Sequence, residues 1–202
     1  MRKSILSKRK YAAALKALSK TRDFTKISVT DICVECGLSR KGFYYHFADK
    51  FSLVAWILQH EFIDQIPPQS EADAWQVFGL LCSYLYRENE FYRKCFESAV
   101  GPALRGYLAQ SIAAYARKLS ESAFPDQETA EFFAVYCGDA VAAMICKWIA
   151  DEKIMRPAAF LKNTRSVLIN LCGRFRPETD SSDSESPDKD GTLSVRPYQA
   201  LR

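Results

Sequence analysis

One stretch, residues 28 to 50, constrains the fold of this chain more than any other; it reads SVTDICVECGLSRKGFYYHFADK. Ser28 is followed three residues later by Asp31, which is typical of a capping box at the start of a helix. Gly37 suits the left-handed conformation that ends such a helix, and Ser39 can cap the next one. Because so few residues separate the two helices, they must meet at a steep angle. The sequence therefore predicts a helix-turn-helix.

Apolar residues recur at helical spacing through both predicted helices, so they can form one small shared core. These residues are Val29, Ile32, Cys33, Leu38, Phe43 and Phe47. The second helix then carries polar and cationic side chains largely outward, and all of them can contact DNA. Arg40 and Lys41 stand in its first turn, where a helix lying in the major groove can bind the O6 and N7 atoms of guanine. These two are the predicted base-reading residues.

The charge of the chain is distributed unevenly. Residues 1 to 50 contain 12 Lys or Arg against 4 Asp or Glu, a net charge of +8, while the remainder carries a net charge of −4. A basic segment attached to a mildly acidic remainder is typical of a DNA-binding head on a body with another task. A solvated basic face without a partner is the alternative interpretation, and the helix-turn-helix pattern argues against it.

The helix-turn-helix segment resembles the TetR family of bacterial transcription regulators. In that family a short helix and turn of the pattern D-I-A-x-x-A-G-V-S precede a recognition helix of the pattern F-Y-x-H-F. The matching residues are Asp31, Ile32, Cys33, Cys36, Gly37, Leu38, Ser39, Phe43, Tyr44, His46 and Phe47, followed by Asp49 and Lys50. The likeness covers about residues 5 to 65. Residues 43 to 57 are most similar to a subgroup that includes regulators of dihydroxyacetone kinase operons.

The resemblance implies further contacts with DNA, because Tyr44, Tyr45, His46 and Lys50 match family positions that contact mainly the phosphate backbone. The full set of candidate DNA contacts is Ser28, Thr30, Ser39, Arg40, Lys41, Gly42, Tyr44, Tyr45, His46 and Lys50. Gly42 departs from the Thr, Ser or Pro of the family and indicates a close backbone approach. Partial burial of Tyr44 and an ordinary packing role for His46 are the alternative interpretations.

The rest of the chain is predicted to be helical. A fourth helix runs to about residue 66, where two prolines end it, and later helices are expected at about residues 72–87, 90–99, 103–122 and 126–151 and after Pro157. The predicted fold class is therefore all-α. A helix-turn-helix head with its connecting helix takes residues 1–66, a helical regulatory and dimerisation domain takes residues 70–175, and a disordered acidic tail takes residues 176–202.

Aromatic residues are frequent in the body, and the family resemblance connects them with an apolar ligand cavity. The candidate cavity residues are Trp75, Phe78, Tyr84, Phe96, Tyr107 and Tyr115. A plain role in the hydrophobic core is the alternative for each of them.

The helix predicted at residues 126–151 is apolar or small on three of its four faces, which is more than one packing surface requires. A column of small residues along it would let a second helix approach closely. Together with the last helix it predicts a homodimer, as the family resemblance also does. The candidate interface residues are Ala134, Gly138, Ala142, Cys146, Val167 and Leu171.

Several other classes of protein are disfavoured by the sequence. Cys33 and Cys36 form a CxxC pair, but nothing nearby completes a zinc site, so a packing role is expected, and we predict no metal and no cofactor. No stretch reaches the roughly 18 apolar residues of a transmembrane helix, and the N-terminus lacks the apolar run of a signal peptide. We expect a cytoplasmic protein with no membrane partner. No nucleophile–base arrangement indicates an enzyme.

The sequence thus predicts a homodimeric transcription regulator, a repressor, that binds double-stranded operator DNA and is controlled through its C-terminal domain by a small-molecule effector. The alternative is a co-regulator or adaptor of the same fold that acts through a protein partner instead of a small ligand.

Overall fold

The computed structural model describes residues 2–66, 74–120, 124 and 126–174, and within them the chain is all helical, as predicted. The helices are α1 (Arg2–Thr21), α2 (Val29–Cys36), α3 (Arg40–His46), α4 (Lys50–Glu61), α5 (Ala74–Arg87), α6 (Asn89–Phe96), α7 (Gly101–Ser120), α8 (Gln127–Ala150) and α9 (Pro157–Arg174). The predicted acidic tail of residues 176–202 lies outside the described residues, as does the segment at which the two domains were expected to divide.

The ends of the helices follow the predicted signals. Ser28 and Asp31 form a complete capping box, in which the Ser28 N–H donates to the Asp31 carboxylate at 2.8 Å. Gly37 ends α2 with a φ of 66°, a conformation that glycine adopts without steric cost. The fourth helix is shorter than predicted. It ends at Glu61 because the chain tightens into a 3-10 turn at Ile63–Gln65 before the prolines.

The head is built around Tyr11 of α1. Its ring packs edge-on against Phe43 of α3, with ring centroids 5.3 Å apart, and against Phe47 at 6.3 Å. Its hydroxyl donates to the Ser39 carbonyl at 3.0 Å. Since Tyr11, Phe43 and Phe47 are all buried, α1 holds the position and angle of α3 through one aromatic cluster.

The head also contacts the body directly. Lys16 of α1 forms ion pairs with Glu61 at the end of α4 (2.5 Å) and with Glu88 just before α6 (3.1 Å). The Lys94 ammonium of α6 donates to the Ser19 carbonyl of α1 at 2.5 Å. The region of α6 is therefore joined to α1 by direct contacts that do not involve the connecting helix α4.

Helices α7 and α8 pack closely along most of their length. A Cβ added at Gly138 would lie 2.5 Å from the Ala109 carbonyl oxygen and 3.0 Å from the Ala113 Cβ, so only glycine fits at this point of contact. By length and composition α8 is apolar enough to cross a membrane, with a mean hydropathy of 1.5, although the sequence was expected to contain no such segment. Some of its apolar residues pack on α7 or line a cavity, and others are exposed on its surface.

A pair of glycine substitutions tests this close approach. We expect Gly138→Ala to lower the free energy of unfolding by about 1–3 kcal/mol, because the methyl group forces α7 and α8 apart. A Cβ added at Gly106 of α7 would have no neighbouring atom within 4 Å. Gly106→Ala should therefore raise stability by up to about 1 kcal/mol through helix propensity alone. Urea unfolding at one protein concentration measures both; equal stabilisation by the two changes would contradict the packing.

Candidate nucleic-acid interface and apolar cavity

The outer face of α3 carries the residues predicted to contact DNA. Arg40 and Lys41 are exposed in its first turn, Tyr45 is 83% exposed and Tyr44 is 51% exposed. The Tyr44 ring rests edge-on against the buried Phe43 ring, with centroids 5.6 Å apart. These four side chains project from one short helix that the Tyr11 cluster holds in place. Such a surface has the size and charge to enter a major groove.

Ser39 and Gly42 serve the structure of the head. The Ser39 hydroxyl accepts the Gly42 N–H at 3.0 Å and so caps α3. A Cβ at Gly42 would lie 2.9 Å from the Tyr11 hydroxyl oxygen. The close approach that the sequence indicated at Gly42 is thus an approach of α3 to α1, and we assign no base contact to this residue.

Lys50 is placed differently from the expectation of a phosphate contact. Its ammonium donates to the Phe24 carbonyl at 2.7 Å and to the Ile27 carbonyl at 2.9 Å, and it lies 4.4 Å from the centre of the Phe24 ring. Burial lowers the pKa of the Lys50 ammonium. The side chain therefore ties α4 to the turn that precedes α2, and its hydrogen bonds are directed into the protein.

The remaining candidates lie at the edge of the interface. Thr30 is exposed near the start of α2, while the Ser28 hydroxyl is already engaged, donating to Asp31 at 2.6 Å. Hydrogen bonds from Ser28 and the nearby Arg22 hold the pKa of Asp31 at about 2. His46 is half-buried, and burial together with the neighbouring positive charge of Lys8 lowers the pKa of its imidazole, which favours the neutral form.

An apolar cavity of about 530 Å³ lies between α4, α5, α7, α8 and α9. Its wall consists of Leu58, Gln59, Phe62, Ile63, Ile66, Trp75, Val77, Phe78, Leu81, Leu108, Ser111, Ile112, Ala114, Tyr115, Ala116, Phe133, Cys137, Val141 and Thr164. Three of the six predicted cavity residues, Trp75, Phe78 and Tyr115, lie in this wall. The aliphatic majority of the wall was missed because such residues have the same pattern as an ordinary core.

The other three predicted cavity residues lie outside the wall. Tyr107 stands behind it, and its hydroxyl donates to the Gln59 side chain at 2.5 Å. Tyr84 is buried, and its hydroxyl donates to Glu61 at 3.0 Å. Phe96 packs against the core near Tyr92, with ring centroids 6.3 Å apart. These three rings are structural in the described part of the chain.

The residues predicted to form a dimer interface are divided between the interior and the surface of the chain. Ala134, Gly138 and Ala142 are buried within the chain itself, Gly138 directly against α7, and Cys146 is half-buried. They face inward because small residues are what the close contact with α7 requires. Val167 of α9 is exposed, and the side chain of Leu171 lies outside the described residues.

Away from the buried small residues, α8 carries large exposed apolar side chains. Phe132 is 73% exposed, Tyr136 is 64% exposed and Val135 is 47% exposed. Neighbouring large apolar residues on one exposed helical face are typical of an interaction surface. We call the set formed by Phe132, Val135 and Tyr136 the α8 outer face.

A helix-turn-helix head on an all-helical body is typical of transcriptional regulators, and two comparisons with known proteins point to the same class. Residues 73–170 match a TetR C-terminal family described as "Transcriptional regulator C-terminal region". The HTH-type dhaKLM operon transcriptional activator DhaS of Lactococcus lactis subsp. lactis is 34% identical over 97 residues, which are 48% of this chain and 52% of that protein. The chain thus spans about half the length of this curated relative.

A solved structure, the dihydroxyacetone kinase operon activator DhaS, has the same fold. Its TM-score with this chain is 0.61 at 20% sequence identity, over 85% of this chain and 98% of that one. The chain is thus similar to TetR-type transcriptional regulators in the signature of its head and in its matched body. Its relatives are regulators and not enzymes, as predicted. Their names agree with the subgroup that residues 43 to 57 resemble.

Proposed function

We propose that this chain is a sequence-specific DNA-binding regulator whose helix α3 lies in the major groove of an operator. The exposed row of Arg40, Lys41, Tyr44 and Tyr45 on α3 carries this proposal, and such a regulator would work in the cytoplasm. Selection of duplexes from a random pool by the purified protein tests it. Enrichment of one inverted repeat supports the proposal, and a pool that stays random after repeated rounds would contradict it.

The direction of the regulation is a separate proposal. The sequence analysis predicts repression, whereas the relative from Lactococcus is named a transcriptional activator. Because that name is the observation that bears on the direction, we propose activation for this chain. Transcription from a promoter next to the selected operator should rise when the protein is added. A fall in transcription would contradict activation and support repression.

We further propose that the protein acts as a dimer through the α8 outer face. Phe132→Arg places a charge at the most exposed of its apolar side chains and should convert the dimer to a monomer at micromolar concentration, because an unpaired charge is costly in a buried interface. Leu80→Arg, at an exposed apolar residue of α5, is the matched control and should stay dimeric. Sedimentation measures both, and a dimeric Phe132→Arg protein would contradict the assignment.

We propose control of DNA binding through the body, supported by a row of contacts that leads from the cavity wall to the head. The Gln59 amide donates to Asp64 at 2.7 Å, and Asp64 accepts from His60 Nδ1 at 3.3 Å. On the other side of the His60 ring, Nε2 accepts from Arg9 of α1 at 3.1 Å. Because Nε2 accepts, Nδ1 carries the proton. A change at the wall thus reaches α1 through three hydrogen bonds.

A row of aromatic rings follows the same path to α3. The His60 ring stacks on Trp56 with centroids 4.6 Å apart, and Trp56 packs against Phe47 at 6.0 Å. Phe47 directly follows the last residue of α3. A shift of α4 caused at the cavity would therefore change the position of α3, which is the element proposed to lie on DNA.

A further inference from the structure

Lys16 stands where the head, the connecting helix and the body meet. Its ammonium pairs with Glu61 at the end of α4 at 2.5 Å and with Glu88, the residue before α6, at 3.1 Å. The side chain of Lys16 is 20% exposed and that of Glu88 is 27% exposed, so water screens this pair less than it screens an ion pair on the surface. We call Lys16, Glu61 and Glu88 the Lys16 cluster, which joins three parts of the chain through one positive charge.

The two carboxylates of the Lys16 cluster depend on the ammonium that they share. Without the positive charge of Lys16, the carboxylates of Glu61 and Glu88 would remain close together in a partly buried site, where like charges repel each other. The end of α4 would then be driven away from the start of α6. Lys16 therefore holds together two segments that would repel each other in its absence.

The Glu61 carboxylate is also held from the interior of the body. The Tyr84 hydroxyl is 3.0 Å from it, and the hydroxyls of Tyr84 and Tyr92 are 2.9 Å apart. Burial raises the pKa of both hydroxyls, so both keep their protons. Because a carboxylate can only accept, Tyr84 donates to Glu61 and Tyr92 donates to Tyr84. Tyr92 is fully buried, so this row of hydrogen bonds fixes Glu61 to the core of the body.

Further contacts hold α1 and the turn after it against α6. The Lys94 ammonium donates to the Ser19 carbonyl at 2.5 Å, and the rings of Phe24 and Phe91 pack edge-on with centroids 6.2 Å apart. The Lys16 ammonium lies 5.6 Å from the centre of the Phe91 ring. The head and the body therefore meet over ionic, polar and aromatic contacts, and the Lys16 cluster is the part of this junction that includes the connecting helix.

We propose that Lys16 is a positioning residue that sets the angle of the head on the body and, through it, the spacing between half-sites that the protein accepts in an operator. The inference rests on the proposed binding of a dimer to an inverted repeat. Two heads held at a fixed separation bind both half-sites at once when the spacing of the DNA matches that separation. A loosened junction would weaken this match and leave the contacts of each head with its own half-site unchanged.

Operators of altered spacing test this role. Lys16→Met keeps most of the length of the side chain and removes its charge. We expect it to weaken binding to the selected operator at least about fivefold and binding to a single half-site less than about twofold. One base pair inserted between the half-sites should weaken the wild type at least about tenfold and Lys16→Met less than about threefold. Lys16→Arg retains the charge and should keep the wild-type spacing preference.

Glu88→Gln separates positioning from plain electrostatics. It removes the charge on the body's side of the Lys16 cluster and leaves the pair between Lys16 and Glu61. Loss of a negative charge alone would tighten binding to every duplex slightly, whereas the positioning role predicts binding to the selected operator that is at least about threefold weaker. Glu97→Gln, at an exposed residue just after α6, is the matched control and should show the electrostatic effect alone.

Two results of these titrations would overturn the proposal. A spacing preference that stays the same in Lys16→Met and in Glu88→Gln would show that the Lys16 cluster does not position the head. Equal losses on the single half-site and on the full operator would show that Lys16 supports the fold of the head itself.

A distance measurement without DNA separates this inference from the proposed function. Spin labels are attached through an introduced keto amino acid at Val34 in the head and at Leu80 in the body, both of which are exposed, and the labelled protein is diluted with unlabelled protein. The distances between the two labels should be distributed more broadly in Lys16→Met than in the wild type, and an unchanged distribution would overturn the inference. A wild type that prefers no duplex would overturn the DNA-binding proposal instead, and the distances would still show whether Lys16 fixes the head.

Discussion

Replacing Lys41 with alanine is expected to weaken binding to the operator by about 1–3 kcal/mol, roughly five- to 150-fold, and to leave binding to scrambled DNA nearly unchanged. Lys41 is exposed in the first turn of α3, where a helix in the major groove meets base edges. Phosphates are the same at every base pair, so only a residue that contacts bases can produce this difference. Arg40→Ala should behave in the same way.

Lys20→Ala is the control, because it removes the same charge from an exposed site on α1. It should change affinity for both duplexes equally and slightly. Titration of each variant against operator and scrambled duplexes measures the effect. If Lys41→Ala loses the same factor on both, Lys41 does not contact a base, and the base-reading role moves to Arg40 and Tyr44.

Replacing Lys50 with methionine is expected to lower the free energy of unfolding by about 1–3 kcal/mol, because the carbonyls of Phe24 and Ile27 lose their shared donor in a partly buried site. Methionine keeps most of the length of the side chain, so the loss reports on the ammonium. The folded fraction should bind DNA with the same salt dependence as the wild type, since no phosphate contact is removed.

Lys41→Met, at an exposed lysine, is the control for stability and should change the free energy of unfolding by less than about 0.5 kcal/mol. A phosphate contact by Lys50 would give the opposite pattern. Stability would then be unchanged, and the slope of log affinity against log salt would fall by about 0.9.

The features that were predicted well from the sequence are those that depend on residues close together in the chain. A capping box joins Ser28 to Asp31 across one turn, and the left-handed end of α2 is a property of Gly37 itself. Such signals can be read from a few consecutive residues, and the helix-turn-helix follows from them. The helical periodicity of the body is local in the same sense, so the all-α class was also predictable.

The features that could not be predicted are contacts between residues that are far apart in the sequence. Lys50 was assigned to DNA from its match to a family position. Its carbonyl acceptors lie more than 20 residues earlier in the chain, so nothing in the sequence pointed to them. Gly42 packs closely against Tyr11, which is on another helix. The small residues of α8 predicted a close helix contact, but their spacing is the same whether the neighbour is α7 or a second subunit, and the structure places Gly138 against α7.

The cavity is the least predictable feature, because it is a space that five helices leave between them and not a property of any one segment. Aromatic content pointed to Trp75 and Phe78 in its wall and also to Tyr84, which supports the core. Thr164 was also missed, because its place in the wall beside Met144 of α8 has no signal in the sequence.

The ratio of two affinities tests the central claim most directly. The wild-type protein is titrated against its selected operator and against a scrambled duplex of equal length and composition at several salt concentrations. A regulator that reads bases through α3 should bind the operator about a thousandfold or more tightly at physiological salt, and raising the salt should weaken both complexes. Equal affinity for the two duplexes at every salt concentration would contradict the account, because a basic head alone gives binding without sequence discrimination.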